Sequence, residues 1–152
     1  MLSRYICAVL KMQQKEAIIM AKGKILIIDD DPDFREAVSL ILKSAQYDVV
    51  TAINPKEAEP KIFAEKPNLI ILDIMMDSIF DGFSLCNSIK TSKEFKDFNS
   101  TPIIFVSAVK EKTGSRFTFK PSEQGFVGPD DYIDKPVQPN DLIARVEKLL
   151  NR

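Results

Sequence analysis

The chain has 152 residues, 45% of them hydrophobic, and a formal charge of −1. That length most simply makes one domain with an ordinary core, and the balanced charge gives no global pull toward nucleic acid or a membrane. The absence of histidine excludes Ser-His-Asp and Cys-His catalysis and imidazole metal sites, and two distant cysteines, Cys7 and Cys86, point to reduced thiols and a cytoplasmic setting rather than a disulfide or zinc framework.

Residues 1–24 are locally basic: Arg4, Lys11, Lys15, Lys22 and Lys24 face Glu16 alone, a net +4 that leaves −5 for the remainder. Their longest apolar run, Tyr5 to Leu10, is closed by Lys11 and falls far short of the roughly 20 residues that span a bilayer. It also lacks the core length and cleavage site of a signal peptide. Met20-Ala21-Lys22-Gly23 has the character of a natural start. Residues 1–21 are therefore expected to be an N-terminal extension, with residues 1–19 an upstream addition; the rival reading is a basic helix docking on a membrane or partner. Residues 22–152 are the expected domain.

Lys24-Ile25-Leu26-Ile27-Ile28 reads as a buried parallel strand that ends in Asp29-Asp30-Asp31. Asp31 suits a helix N-cap and Pro32 the first helical position. Phe34, Ala37, Val38, Ile41 and Ala45 follow at helical spacing. Asp48 to Ile53 is the second predicted strand, and Asn54-Pro55-Lys56-Glu57 a helix start. Pro60 falls inside that helix and predicts a kinked, short or partly irregular element. Asn68 to Leu72 is the third strand, ending in Asp73. Gly82 is expected to open the third helix, with Phe83, Cys86 and Ile89 on its core side. Ile103 to Val106 is the fourth strand, ending at Ser107, and Asp131 to Ile133 a short fifth. Pro139 begins a last helix whose Leu142, Val146, Leu149 and Leu150 face inward. Between them, residues 108–129 are broken by Gly114, Pro121, Gly125, Gly128 and Pro129, which argues against a regular helix throughout.

Strands alternating with helices imply an α/β fold, a parallel sheet with helices on both faces, and a site beyond the carboxyl ends of the strands. Asp29, Asp30, Asp73, Ser107 and Lys135 all fall at such ends. Adjacent carboxylates repel unless a cation lies between them, and all-oxygen ligands suit Mg²⁺ or Mn²⁺. Without a metal, at least one of these aspartates should have a raised pKa. Asp73 could act as a nucleophile toward an activated phosphorus, with Lys135 meeting the remaining negative charge. Ser107 offers a hydroxyl to a phosphoryl oxygen. Taken alone, Ser107 and Tyr132 would be an ordinary strand end and plain packing; only the full set raises either.

As an ordered set, KILIIDDDPDF, PNLIILDIMMDSIFDGF, PIIFVSA and DYIDKPV resemble the receiver domain of two-component response regulators over roughly residues 22–151. The resemblance implies a flavodoxin-like doubly wound sheet of five parallel strands in order 2-1-3-4-5. It implies that Asp73 accepts a phosphoryl group from the phosphohistidine of a sensor or hybrid histidine kinase or a phosphotransfer protein. Asp30 would bind Mg²⁺ directly, Asp29 through water, and the Met75 carbonyl would complete the ligands with Asp73. Lys135 would contact the phosphoryl group and precede a cis peptide to Pro136. Ser107 and Tyr132 would form the switch, signalling to the face made by the helix between the fourth and fifth strands, the fifth strand and the last helix.

Two features depart from the family pattern. Asp77-Ser78-Ile79-Phe80-Asp81-Gly82 is longer than usual and adds the charge of Asp77, so phosphoryl lifetime and metal affinity are expected to differ from the norm. Ser107 and Lys135 are 28 residues apart, so the intervening helix is expected to be absent or remodelled. The expected protein is a stand-alone regulatory phosphoacceptor rather than an enzyme, acting on an unidentified protein without direct DNA binding or membrane attachment. The alternatives are a Mg²⁺-dependent aspartyl-phosphate hydrolase, disfavoured because Met75 stands where a second acid is wanted, and a receiver-like scaffold that is never phosphorylated. A dinucleotide-binding domain is discounted because no Gly-rich turn follows the first strand.

Overall fold

The computed structural model describes residues 2–16, 21–76, 78–108, 125 and 127–152. Five strands are among them: β1 Lys24–Ile28, β2 Asp48–Ala52, β3 Leu69–Asp73, β4 Ile103–Ser107 and β5 Asp131–Asp134. They form one sheet in the order β2-β1-β3-β4-β5 with every pairing parallel. The described helices are α1 Leu2–Glu16, α2 Pro32–Ser44, α3 Pro55–Glu65, α4 Ile79–Thr91 and α5 Pro139–Leu150, with a 3₁₀ turn at Lys96–Phe98. The parallel sheet is what the alternation of elements predicts, and its strand order is the doubly wound, flavodoxin-like one that the family resemblance implies.

The apolar runs of β1, β3 and β4 are needed because both sheet faces are covered. Leu26, Ile28, Ile70, Leu72 and Phe105 point into one core with Ala58 and Ile62 of α3 and Phe83, Cys86 and Ile89 of α4. Ile25, Ile27, Leu69, Ile71, Ile104 and Val106 point into the other with Val38 and Leu42 of α2 and Leu142, Val146 and Leu149 of α5. On α2 the buried stripe includes Leu42, whereas Ala37 is exposed, a one-position correction to the expected apolar face.

Local signals act as the sequence predicts at two helix starts. The Asp31 carboxylate accepts from the amides of Asp33 (2.9 Å) and Phe34 (3.4 Å), and Pro32 occupies the first turn of α2. Asn54 caps α3 by accepting from the Glu57 amide at 2.8 Å. α3 is short, 11 residues, and stays helical through Pro60; Pro60 lies on the exposed side, where water can satisfy the Lys56 carbonyl it leaves unpaired. One expectation needs correction. α4 begins at Ile79, before Gly82. There the Ser78 amide donates to Asp81 at 3.3 Å, the return half of a capping box.

Met20, Asp77 and residues 109–124, on which the expectations about the start, the added charge and the helix between β4 and β5 fall, lie outside the described residues. No helix among the described residues is long and apolar enough to cross a membrane.

Candidate functional site

The strand order reverses direction between β1 and β3, and the crossovers from these two strands leave on opposite sides. That divergence opens a crevice at the carboxyl edge. Asp29 and Asp30 directly follow β1, Asp73 and Ser107 are the last residues of β3 and β4, and Lys135 directly follows β5. The register aligns these ends: Ile28 pairs Leu72, Asp73 pairs Val106, and Ser107 pairs Asp134. β2, at the edge of the sheet, contributes no comparable group, as its Asn54-Pro55 exit predicts.

Carboxylate oxygens of Asp29, Asp30 and Asp73 lie within 4.8 Å of one another. Asp29 is fully buried, Asp73 is 4% exposed, and Asp30 faces solvent. Asp29 is fixed through three of its groups. Its Oδ1 accepts from the Asp31 amide at 2.9 Å. Its carbonyl accepts from Arg35 Nη1 at 2.7 Å. Its Oδ2 pairs with Lys135 Nζ at 2.8 Å. Asp73 Oδ1 accepts from the Met75 amide at 2.9 Å, and Asp73 Oδ2 lies 3.7 Å from Lys135 Nζ. The lysine thus leans toward Asp29. Its backbone is set by its N–H, which donates a hydrogen bond to the Ser107 carbonyl at 2.9 Å, and by a cis peptide to Pro136.

Burial pushes the Asp73 carboxyl up from 3.8 to about 6. The charges of Asp29 and Asp30 push the same way, and the Met75 amide and the Lys135 ammonium pull it back. A raised carboxylate is what the clustering predicts, with burial its larger cause. An oxygen-only donor set of three carboxylates fits a small hard divalent ion, since octahedral Mg²⁺ ligands sit about 3–4 Å from one another. A modest closing of the three side chains would reach that spacing.

Of the expected switch residues, Ser107 is buried at the end of β4. Tyr132 is exposed (47%), its ring edge-on to Phe105 at 5.6 Å between centroids. Cys86 is buried and its thiol pushed up to about 12 by burial, which makes it inert packing.

Three residues matter here that motif reading does not reveal. The Phe34 ring lies beneath Lys135, Arg35 braces the Asp29 carbonyl, and Gly82 lets α4 approach the backbone behind Asp73. A Cβ on Gly82 would stand 2.8 Å from the Asp73 carbonyl oxygen and 3.1 Å from Ile74 Cα. The Asp-Gly pair in the sequence signals a turn, but only the packing shows what the missing side chain makes room for.

A doubly wound sheet with an acidic nest and an opposing lysine at its switch point defines a receiver-type signalling domain. The family model described as the response regulator receiver domain matches residues 25–147, and the chain belongs to that family. It is 36% identical over 124 residues to the protein PilG of Pseudomonas aeruginosa, covering 82% of this chain and 84% of that one. It is 34% identical over 130 residues to the DNA-binding dual master transcriptional regulator RpaA of Synechocystis sp., covering 85% of this chain and 49% of that one. A two-component response regulator from Clostridium difficile superposes with a TM-score of 0.66 at 30% identity, over 86% of this chain and 98% of that one. The chain spans about half the length of several curated relatives it matches.

Proposed function

We propose that the chain is a phosphorylation-controlled module of a two-component phosphorelay with Asp73 as its phosphoacceptor. One observation carries the reading: Asp73 ends the central strand with two further carboxylates within 4.8 Å and the Lys135 ammonium at 3.7 Å. In the proposed transfer, an Asp73 oxygen attacks the phosphorus of a partner's phosphohistidine in line. The P–N bond breaks, its electron pair stays on the imidazole, and an acyl phosphate forms. The chain has no histidine, so the donor histidine lies outside these residues, on a sensor or hybrid histidine kinase or a histidine phosphotransfer protein.

Mg²⁺, or Mn²⁺, would supply charge neutralisation between the phosphoryl oxygens and the acidic nest. Asp30 would hold it directly, Asp29 through water, and Asp73 and the Met75 carbonyl would complete the protein ligands. Lys135 balances the added negative charge, Ser107 donates to a phosphoryl oxygen, and Tyr132 turns inward behind it. Output passes through contacts with a downstream protein in the cytoplasm, with no direct DNA contact by this domain. Residues 22–152 make the receiver, and residues 1–21 an extension outside it.

The test is phosphate incorporation from labelled acetyl phosphate. Wild type should take up hydroxylamine-sensitive label and Asp73→Asn none; label persisting in the variant would move the acceptor elsewhere. Beryllofluoride with Mg²⁺ should change the environment of Tyr132, read as a shift of its ring resonances. Unchanged resonances at saturating reagent would remove Tyr132 from the switch.

A further inference from the structure

The Lys135 ammonium is held on three sides, and one of them is not an anion. Asp29 Oδ2 lies at 2.8 Å and Asp73 Oδ2 at 3.7 Å. The third contact is the Phe34 ring, whose centroid is 4.1 Å from Nζ. Phe34 sits in the first turn of α2, with its amide drawn to the Asp31 cap and its side chain packed against the core on that sheet face. The ring is therefore carried by a rigid element, whereas Lys135 ends a flexible four-carbon stem.

We propose that Phe34 is a positioning residue for Lys135, its ring an uncharged shelf that keeps the ammonium over the acidic nest while the charges around it change. The proposal rests on the reading that Asp73 accepts a phosphoryl group. That reaction alters both of the lysine's anionic partners: Asp29 becomes shared with a cation, and Asp73 becomes an acyl phosphate. An aromatic face attracts an ammonium through its quadrupole. It cannot titrate and adds no net charge to a pocket that already carries three carboxylates. A fourth carboxylate in its place would hold Lys135 as well but would repel the incoming phosphoryl group. An aliphatic side chain would fill the same space without the attraction.

The experiment uses the full chain as wild type, Phe34→Leu and Phe34→Tyr, with Asp73→Asn as control. The first readout is the rate constant for labelling by acetyl phosphate with Mg²⁺. Phe34→Leu is expected to label about tenfold more slowly and Phe34→Tyr, which keeps the ring, close to wild type. The second readout is the NMR position of the Lys135 ε-methylene protons, assigned by difference against Lys135→Arg. They should be shifted upfield by the ring in wild type and Phe34→Tyr, and should return to the ordinary lysine position in Phe34→Leu. Equal labelling rates for wild type and a folded Phe34→Leu would overturn the proposal. So would ordinary ε-methylene shifts in wild type, a result that needs no variant to fold. If wild type takes up no label, or Asp73→Asn labels as well as wild type does, the phosphoacceptor reading fails, and the NMR shift alone decides whether the ring holds the lysine.

Discussion

Asp73 is an anion in a place that disfavours anions. It is 4% exposed, faces two other carboxylates, and has its carboxyl pushed from 3.8 to about 6. Between those values the folded chain holds a proton that the unfolded chain has released. Stability therefore falls as pH rises through this window and stays reduced above it. At neutral pH the cost is about 2–3 kcal/mol, a disadvantage that a bound cation would offset. Asp73→Asn removes the titration. In the presence of a chelator the variant should match wild type near pH 3.5 and be more stable by about 2 kcal/mol above pH 6.5, measured by urea unfolding across pH. An equal difference at both pH values would show that the effect is not electrostatic. Gly82 illustrates a different residue-scale constraint. The helix and the strand end share the space a methyl group would need, so the position of Asp73 depends on a side chain that is missing.

At the scale of elements, α3 shows how far tertiary context overrides a local breaker. Pro60 removes one backbone donor, but Ala58 and Ile62 are fully buried and the Asn54 cap fixes the start. Lys61 adds a bond to the Thr51 carbonyl at 2.6 Å. Packing holds the helix, and Pro60 remains a cost. Pro60→Ala should restore the bond to Lys56 and raise stability by about 1 kcal/mol or more, toward the ~3 kcal/mol measured in regular helix interiors. Denaturant midpoints of the two chains check this, and an unchanged or lower midpoint would mean that the turn depends on proline. α4 does comparable work on the entry to β5. Lys90 pairs with Asp130 at 2.7 Å, 10% and 27% exposed, and also donates to the Thr101 carbonyl. Asp130 in turn accepts from the Ile103 amide, so one ion pair ties α4 to both outer strands of that half of the sheet.

At the scale of the whole molecule, the sheet with its two cores is the body, and the described apolar side chains of α1 add little to it. Tyr5, Ile6, Val9 and Leu10 of α1 are 49–79% exposed, so removing this helix gives up little buried apolar surface. A chain lacking residues 1–19 keeps Lys22, whose amide donates to the Gln46 carbonyl. It should melt within about 2 °C of the full chain and label from acetyl phosphate at the same rate. A large loss of melting temperature in calorimetry would make α1 part of the domain.

The five strands, their parallel pairing and the carboxyl-edge location of Asp29, Asp30, Asp73, Ser107 and Lys135 were legible in the sequence, because fully buried parallel strands read as apolar runs and their exits as abrupt polar ones. Helix starts were legible where the cap and the proline lie next to each other, as at Asp31-Pro32 and Asn54-Pro55. The start of α4 is not, because Gly82 resembles a helix boundary, whereas its constraint is the Asp73 backbone, 2.8 Å from where a Cβ would stand. Pro60 marks the limit of local chemistry in another way: the sequence shows the loss of one bond and not the burial that offsets it. Lys135 leaning on Asp29, the Phe34 ring beneath it and Arg35 on the Asp29 carbonyl join residues from distant parts of the chain or from a motif's silent positions. Which side chains meet in a pocket is decided by how helices pack across a twisted sheet, a matter of three-dimensional distance that no spacing along the polymer records.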